Sequence, residues 1–462
     1  MSDSSTSGAL LSALRDLVQR SAPGEKLPSS RELIDRHRVG PGTVSRAIAQ
    51  LAAEGAVITR PGSGTYVAPR SPRADAIPDT AWQTVALADR SVDSRSLSDS
   101  LGPAPEGAIH LDGGYLHPSL QPTRGLSAAL ARAARRPDAW DRAPANGLSS
   151  LRTVFARLAG ADVTPDDVLI TAGGQSALSI AFRAIAGPGS PVLVEAPSYP
   201  GALAAARAAG LSPVPVPLDQ EGVRPDLLAE AFARSGARLL YCQPTYQNPT
   251  GAVLAAERRR QVVEVARAAG AFILEDDFAR LLGHGSPVPK PLLTEDRDGT
   301  VVYLTSLTKP AAPSLRIGAL IARGPVLERL RAIRQVDDFF VPRPLQEAAL
   351  ELVSSPSWER HLRGLATSLR QRCRELATQL ADVQPDWTIN RPPDGGLHLW
   401  VRLPPGIEDT EVSAEARRLG VLVSAGQRYF ATEKPGAWLR FNFAAAADLA
   451  ELTLAARRLR GI

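Results

Sequence analysis

From residue 109 onward, short apolar runs alternate with alanine-rich helical stretches, and this alternation narrows the fold more than any other feature. The runs lie at 168–171, 192–195, 238–242, 272–275, 301–305 and 319–322, each four or five residues long. Between them, 175–186, 201–210 and 255–270 carry helical periodicity. Strands this short and this uniformly apolar are buried on both faces, and helices long enough to cross from one strand to the next can cover them. The pattern therefore predicts an α/β domain with a mostly parallel sheet over 109–350. A long helix at 357–381 then opens a smaller α+β domain reaching 462.

The first 70 residues have a different grammar. Leu10, Leu14, Leu17 and Val18 place one apolar face on a helix over 9–19, and Pro23-Gly24 ends it. Ser29 followed by Glu32 forms a capping box for a short helix to about residue 36. After a turn at 37–42, a third helix covers about 43–54, with Val44, Ile48 and Leu51 inward, and Gly55 stops it. Runs at 57–60 and 65–68 flank Pro61-Gly62-Ser63-Gly64, a hairpin signal. Three helices and a hairpin in this order predict a winged helix-turn-helix over 1–70. Residues 71–108 are rich in Pro, Ser, Asp and Arg and read as a linker, with 82–87 expected to dock locally.

At 462 residues the chain exceeds one ordinary core. A net charge of +5 permits nucleic-acid binding without arguing for it. Two cysteines give no disulfide framework and fit a reducing compartment. The six histidines show no metal-ligand spacing, so no metal is expected. No apolar run reaches membrane-spanning length, and the polar N-terminus lacks a signal-peptide core. These features point to the cytoplasm.

Chemistry concentrates around Lys309, one of only four lysines. A lysine whose surroundings favour the neutral amine forms Schiff bases with aldehydes. Ser306 stands three residues before it and Arg316 seven after, a hydroxyl and a cation able to grip a phosphate. Gly174 and Gln175 sit at a strand-to-helix turn, where backbone amides form an anion site; by itself such a turn is equally a plain tight turn. Asp276 closes a strand, where a carboxylate faces the crevice of an α/β sheet or forms a solvated acidic turn. Tyr199 suits either ring stacking or packing. Asn248 opens an Asn-Pro-Thr-Gly turn. Arg440 lies within an apolar strand and needs an anion if buried, either a ligand carboxylate or a structural Asp or Glu.

Taken in order, these motifs make 109–462 resemble a fold type I pyridoxal-phosphate aminotransferase. Residues 10–68 resemble the winged-helix domain of the GntR family, through Leu27-Pro28-Ser29-Ser30-Arg31-Glu32-Leu33, Ala53-Glu54-Gly55 and Arg60-Pro61-Gly62-Ser63-Gly64-Thr65-Tyr66-Val67. The two together resemble the MocR-type branch of GntR regulators. The resemblance implies that Lys309 holds pyridoxal 5'-phosphate as an aldimine and that Asp276 partners the pyridine nitrogen. Tyr199 stacks on the ring, and Asn248 contacts the phenolic oxygen. Gly174, Gln175, Ser306 and Arg316 hold the phosphate, and Arg440 takes the carboxylate of an amino-acid-like effector.

It also exposes departures. Phe278 replaces a tyrosine usual two residues after the aspartate. Trp140 stands near where the fold supplies a tyrosine across the dimer. Val39-Gly40-Pro41-Gly42-Thr43 lacks an arginine common before the recognition helix.

For the head, six basic and three acidic residues between Lys26 and Arg60 give a modest positive bias. Arg31, Thr43, Ser45 and Arg46, with Gly62 and Ser63 at the wing tip, are the expected contacts to double-stranded DNA. The chain is thus expected to be a homodimeric transcriptional regulator that senses pyridoxal phosphate or an amino-acid-like effector. The competing readings are an active aminotransferase with an accessory DNA-binding head and a regulator that never holds the cofactor. Phe278 weighs against turnover.

Overall fold

The computed structural model describes residues 3–69, 79–87, 105–160, 162–389, 391–432 and 434–462. It divides into two compact units, Met1–Ser91 and Val92–Ile462. Most of the linker expected over 71–108 lies outside the described residues.

The first unit has helices Asp3–Arg20, Ser30–His37 and Pro41–Ala53, followed by antiparallel strands Val57–Arg60 and Gly64–Val67. Its core is its own: Leu10, Leu14, Leu27, Leu33, Val44, Leu51, Val57 and Val67 are all buried together. The capping box is reciprocal, with the Ser29 backbone N–H donating to Glu32 Oε2 at 2.7 Å and the Glu32 N–H to Ser29 Oγ at 3.3 Å. Arg38 ends the second helix in the left-handed region, at φ 52°. Gly40 then caps the third helix, whose first residue is Pro41, a position that needs no backbone N–H.

Residues Ala81–Ala86 form a short helix, but the expected docking of 82–87 does not occur. Trp82, Val85 and Leu87 remain 66%, 80% and 62% exposed. Six residues make fewer than two turns, and among the described residues no apolar face opposes them.

In the second unit, the main sheet runs in the spatial order Val168–Thr171, Gly318–Ile321, Val301–Ser306, Phe272–Asp276, Leu239–Cys242, Pro191–Ala196, Ser212–Asp219, Gly222–Val223. The four pairings from Val301–Ser306 to Ser212–Asp219 are parallel. Gly318–Ile321 is antiparallel to both its neighbours, which makes the sheet mixed. Alternate side chains feed two cores. Ile273, Val301, Tyr303 and Ala319 face one, and Leu274, Val302, Leu304 and Leu320 the other.

Ser212–Asp219 escaped the sequence pattern because Pro213, Pro215 and Pro217 interrupt it. Prolines at alternate positions remove N–H groups from one side of a strand only. The other side still pairs with Pro191–Ala196 over six positions.

The long helix Pro356–Val383 leads to a three-stranded sheet in which Trp438–Asn442 is flanked by His398–Arg402 and Ser424–Ala425. Ile109–His110 pairs in parallel with Val421–Leu422, and Ile109, Leu111 and Leu116 join the core of this C-terminal layer. The chain therefore enters the C-terminal core before it builds the main sheet. Among the described residues no helix is long and apolar enough to cross a membrane.

Candidate functional site

The parallel strands deliver their C-terminal ends to one cavity of about 450 Å³. This is where ligands bind in open α/β sheets. Asp276 is the last residue of its strand, in register with Leu304 of the neighbour. Ser306 ends that neighbour, and Lys309 sits in the turn beyond it. Gly174 begins the helix Gly174–Ile185, three residues past Thr171. Tyr199 caps the helix Pro200–Ala208 after the strand Pro191–Ala196. Arg440 arrives from the C-terminal sheet. All eight residues proposed for the cofactor, together with Arg440, line this cavity.

Lys309 Nζ donates to the Gly114 carbonyl at 2.7 Å and lies 4.0 Å from the centre of the Tyr115 ring. Burial, reinforced by repulsion from Arg440, lowers its pKa to about 7, while Asp276 pulls the other way. Burial thus favours the neutral amine over what an exposed lysine would hold.

Asp276 accepts hydrogen bonds at Oδ2 from Tyr241 Oη at 2.8 Å and Gln243 Nε2 at 2.9 Å. Its Oδ1 is buried without a partner. Burial raises its pKa to about 6, against those two hydrogen bonds. Such a carboxylate suits a cationic ring N–H.

At the opposite end, Gly173 takes φ +84°, and a Cβ there would lie 2.9 Å from the Arg316 guanidinium carbon. Only glycine lets the guanidinium lie on this turn. Arg316 is itself left-handed at φ 50° and donates from Nη2 to the Ala172 carbonyl at 2.9 Å. Ser306 Oγ stands 2.9 Å from Thr308 Oγ1 and accepts the Thr308 N–H at 3.1 Å. Hydroxyls, a helix N-terminus and an arginine thus converge as a phosphate cradle would require.

Tyr199 occupies the space any side chain at 201 would need, since a Cβ there would meet its ring at 2.3 Å. Its hydroxyl reaches Gln175 Oε1 at 3.3 Å, and Gln175 Nε2 donates to the Gly201 carbonyl at 2.9 Å.

Arg440 is buried, and among the described residues no carboxylate pairs with it. It donates to the carbonyls of Asp112 and Gly113 and, at 3.2 Å, to Asn248 Oδ1. Its Nε has no partner. The structural Asp or Glu considered from sequence is not there. The orphaned carboxylate oxygen, the amine near its neutral form, the phosphate cradle and the unpaired arginine together fit pyridoxal phosphate and an amino acid.

Phe278 lines the cavity without a hydroxyl, and Trp140 is 80% exposed and does not line it. Thr308, Gln243, Tyr115, Tyr429 and His398 also line the cavity, and sequence reasoning missed them. Thr308 was detectable as the hydroxyl beside Lys309, and Gln243 as the polar residue ending a strand. His398 carried no local signal.

In the first unit, Arg31, Ser45 and Arg46 are exposed, as are Gly62 and Ser63 at the hairpin tip, while Thr43 is half-buried. Ser63 Oγ lies 2.6 Å from Tyr66 Oη, tying the tip to its strand. Lys26 and Arg60 sit over the Tyr66 ring at 6.0 and 4.9 Å. That brings two cations beside the wing, which the chain order alone did not group.

Residues 115–459 match the Aminotransferase class I and II family. The chain belongs to that family. Its head, residues 11–67, matches the bacterial regulatory proteins of the gntR family. The pairing is the build of a MocR-type transcriptional regulator with an aminotransferase-like domain.

The HTH-type transcriptional regulator YdfD of Bacillus subtilis is 29% identical over 434 residues, covering 91% of this chain and 88% of its own. The 2-aminoadipate transaminase of Thermus thermophilus is 31% identical over 343 residues, covering 73% of this chain and 86% of its own. In solved structures, the aminotransferase-like domain resembles LysN, the α-aminoadipate aminotransferase of T. thermophilus, crystallised with N-(5'-phosphopyridoxyl)-L-leucine. The TM-score is 0.76 at 29% identity, over 82% of this chain and 97% of that one.

Proposed function

We propose that this chain is a DNA-binding transcriptional regulator that holds pyridoxal 5'-phosphate at Lys309 and senses the cofactor or an amino-acid-like effector. The observation that carries the reading is one cavity faced at once by a lysine with a pKa near 7, an orphaned Asp276 oxygen and a buried Arg440 without a carboxylate partner. This cavity stands in a chain that also has a gntR-family head. When bound, the cofactor supplies an aldehyde that condenses with amines and a ring that withdraws electrons.

The chain's own residues do the rest. Asp276, with its unpartnered Oδ1, would keep a proton on the pyridine nitrogen. Tyr199 would pack against the ring, and Asn248 would serve its phenolic oxygen. Gly174, Gln175, Ser306 and Arg316 anchor the phosphate. Arg440 positions an effector carboxylate, and Lys309 accepts or releases a proton at Nζ as the effector amine arrives. Arg31, Thr43, Ser45, Arg46, Gly62 and Ser63 meet the operator, and a homodimer presents two such heads to paired half-sites.

The second reading is a working aminotransferase. The assembled site and the likeness to a transaminase favour it, whereas Phe278 and the attached head favour regulation. Fluorescence anisotropy with DNA from upstream of the chain's own gene tests the first reading. It expects salt-sensitive, sequence-selective binding that changes when pyridoxal phosphate or an amino acid is added. Absence of selective binding overturns it.

A further inference from the structure

His398 is buried at 4% exposure and lines the cavity, yet its Nε2 has no hydrogen-bond partner. Buried polar atoms are seldom left unpaired without a reason. Its strand places it. His398 stands opposite Asn442, and Trp400 opposite Arg440, so His398 and Arg440 are diagonal neighbours on one face of the sheet, about 7 Å apart.

Asn442, directly opposite, does not bond to the imidazole Nε2. Its amide nitrogen donates to the Tyr115 carbonyl at 2.9 Å, and its oxygen accepts the Ala444 N–H at 2.9 Å. The charged groups acting on His398 are Arg440 and Lys309, both cationic, and with burial they keep the ring neutral. A neutral imidazole still offers one N–H. Next to it, Arg440 Nε is a second buried group without a partner. Both nitrogen groups are buried at one wall without a protein partner, and Arg440 feels the charge of Asp112 without an ion pair to it among the described residues, so a ligand rich in acceptors would pair them.

We propose that His398 is a specificity-determining residue: its Nε2 donates a hydrogen bond to the effector carboxylate held by Arg440, so the cavity selects amino acids over amines that lack a carboxylate. This rests on the reading that the cavity binds pyridoxal phosphate and an amino compound. An amine alone would leave both nitrogen groups buried and unpaired, a cost that falls on the amine complex and not on the amino-acid complex.

The test uses full-length protein loaded with pyridoxal phosphate. Changes in its visible spectrum give dissociation constants for L-alanine with ethylamine, L-leucine with isoamylamine and L-phenylalanine with phenethylamine. In the wild type, each acid binds more tightly than its amine. His398→Phe is expected to weaken the tightest acid about tenfold and its amine less than twofold. His398→Gln, which keeps an N–H donor, recovers at least half of the discrimination.

Equal weakening of acid and amine overturns the proposal, as does no weakening, provided circular dichroism shows the variant folded. A Gln variant that discriminates no better than Phe also overturns it. The underlying reading fails separately, if the wild type shows no Lys309-dependent band. A Lys309-dependent band that no amino acid perturbs leaves cofactor binding standing and overturns the role of His398.

Discussion

The head and the cavity solve binding in opposite ways. In the head, Arg31, Ser45 and Arg46 stand exposed on a small core built from other residues. Any of them can change at little cost to folding, and as proposed DNA contacts each would be weak and screened by salt. In the cavity, Lys309, Asp276, His398 and Arg440 are taken out of water. Their perturbed protonation and unpaired atoms hold folding energy in reserve for a ligand. The contrast teaches that an exposed site tunes affinity by adding contacts, whereas a buried one tunes it by what it leaves unsatisfied.

The sharpest way to separate the two is to break one core. Leu51 is fully buried in the head, and Leu51→Ala should cost about 2–5 kcal/mol there. DNA binding should collapse at temperatures where the visible cofactor band persists; joint loss of both would show that the regions do not fold independently. Next in size, Arg440→Gln should weaken amino-acid binding about a hundredfold while leaving cofactor affinity within a few fold, measured by spectral titration. Equal loss of both would make Arg440 structural. Smaller again, Arg46→Ala should weaken operator binding about tenfold and reduce the slope of log affinity against log salt by about 1. An unchanged slope would place Arg46 off the backbone.

The pH dependence is the finest discriminator. Lys309 has a folded pKa of about 7 against an ordinary 10.5. Between these values the unfolded chain carries a proton that the folded one lacks. Its contribution to stability is therefore lowest and flat below about pH 7, and it rises from there toward pH 10.5. Capture of added pyridoxal phosphate should quicken as pH rises through about 7 and then level off. Arg440→Gln, which removes a repelling cation, should shift that midpoint upward. A capture rate flat from pH 6 to 9 would contradict the lowered pKa.

What the sequence revealed follows the same division. Strand-and-helix alternation was legible because each short run fills two cores, and the capping box because it is local. Motif residues such as Lys309 and Asp276 were legible because strand ends put chemistry at predictable positions. Ser212–Asp219 was hidden by prolines that are harmless on one side of a strand. His398 was hidden because its neighbour Arg440 comes from another segment, and only the sheet register joins them. Trp82 misled because a large apolar residue in a polar stretch suggests docking, whereas the helix found there buries nothing.

The central claim is that the cavity of this regulator holds pyridoxal phosphate on Lys309. The visible absorption spectrum of the purified protein with added pyridoxal phosphate, beside Lys309→Ala, tests it most directly. A band present in the wild type, absent in the variant and shifted by an amino acid is the result this account predicts. No band in the wild type, or the same band in both, would contradict it.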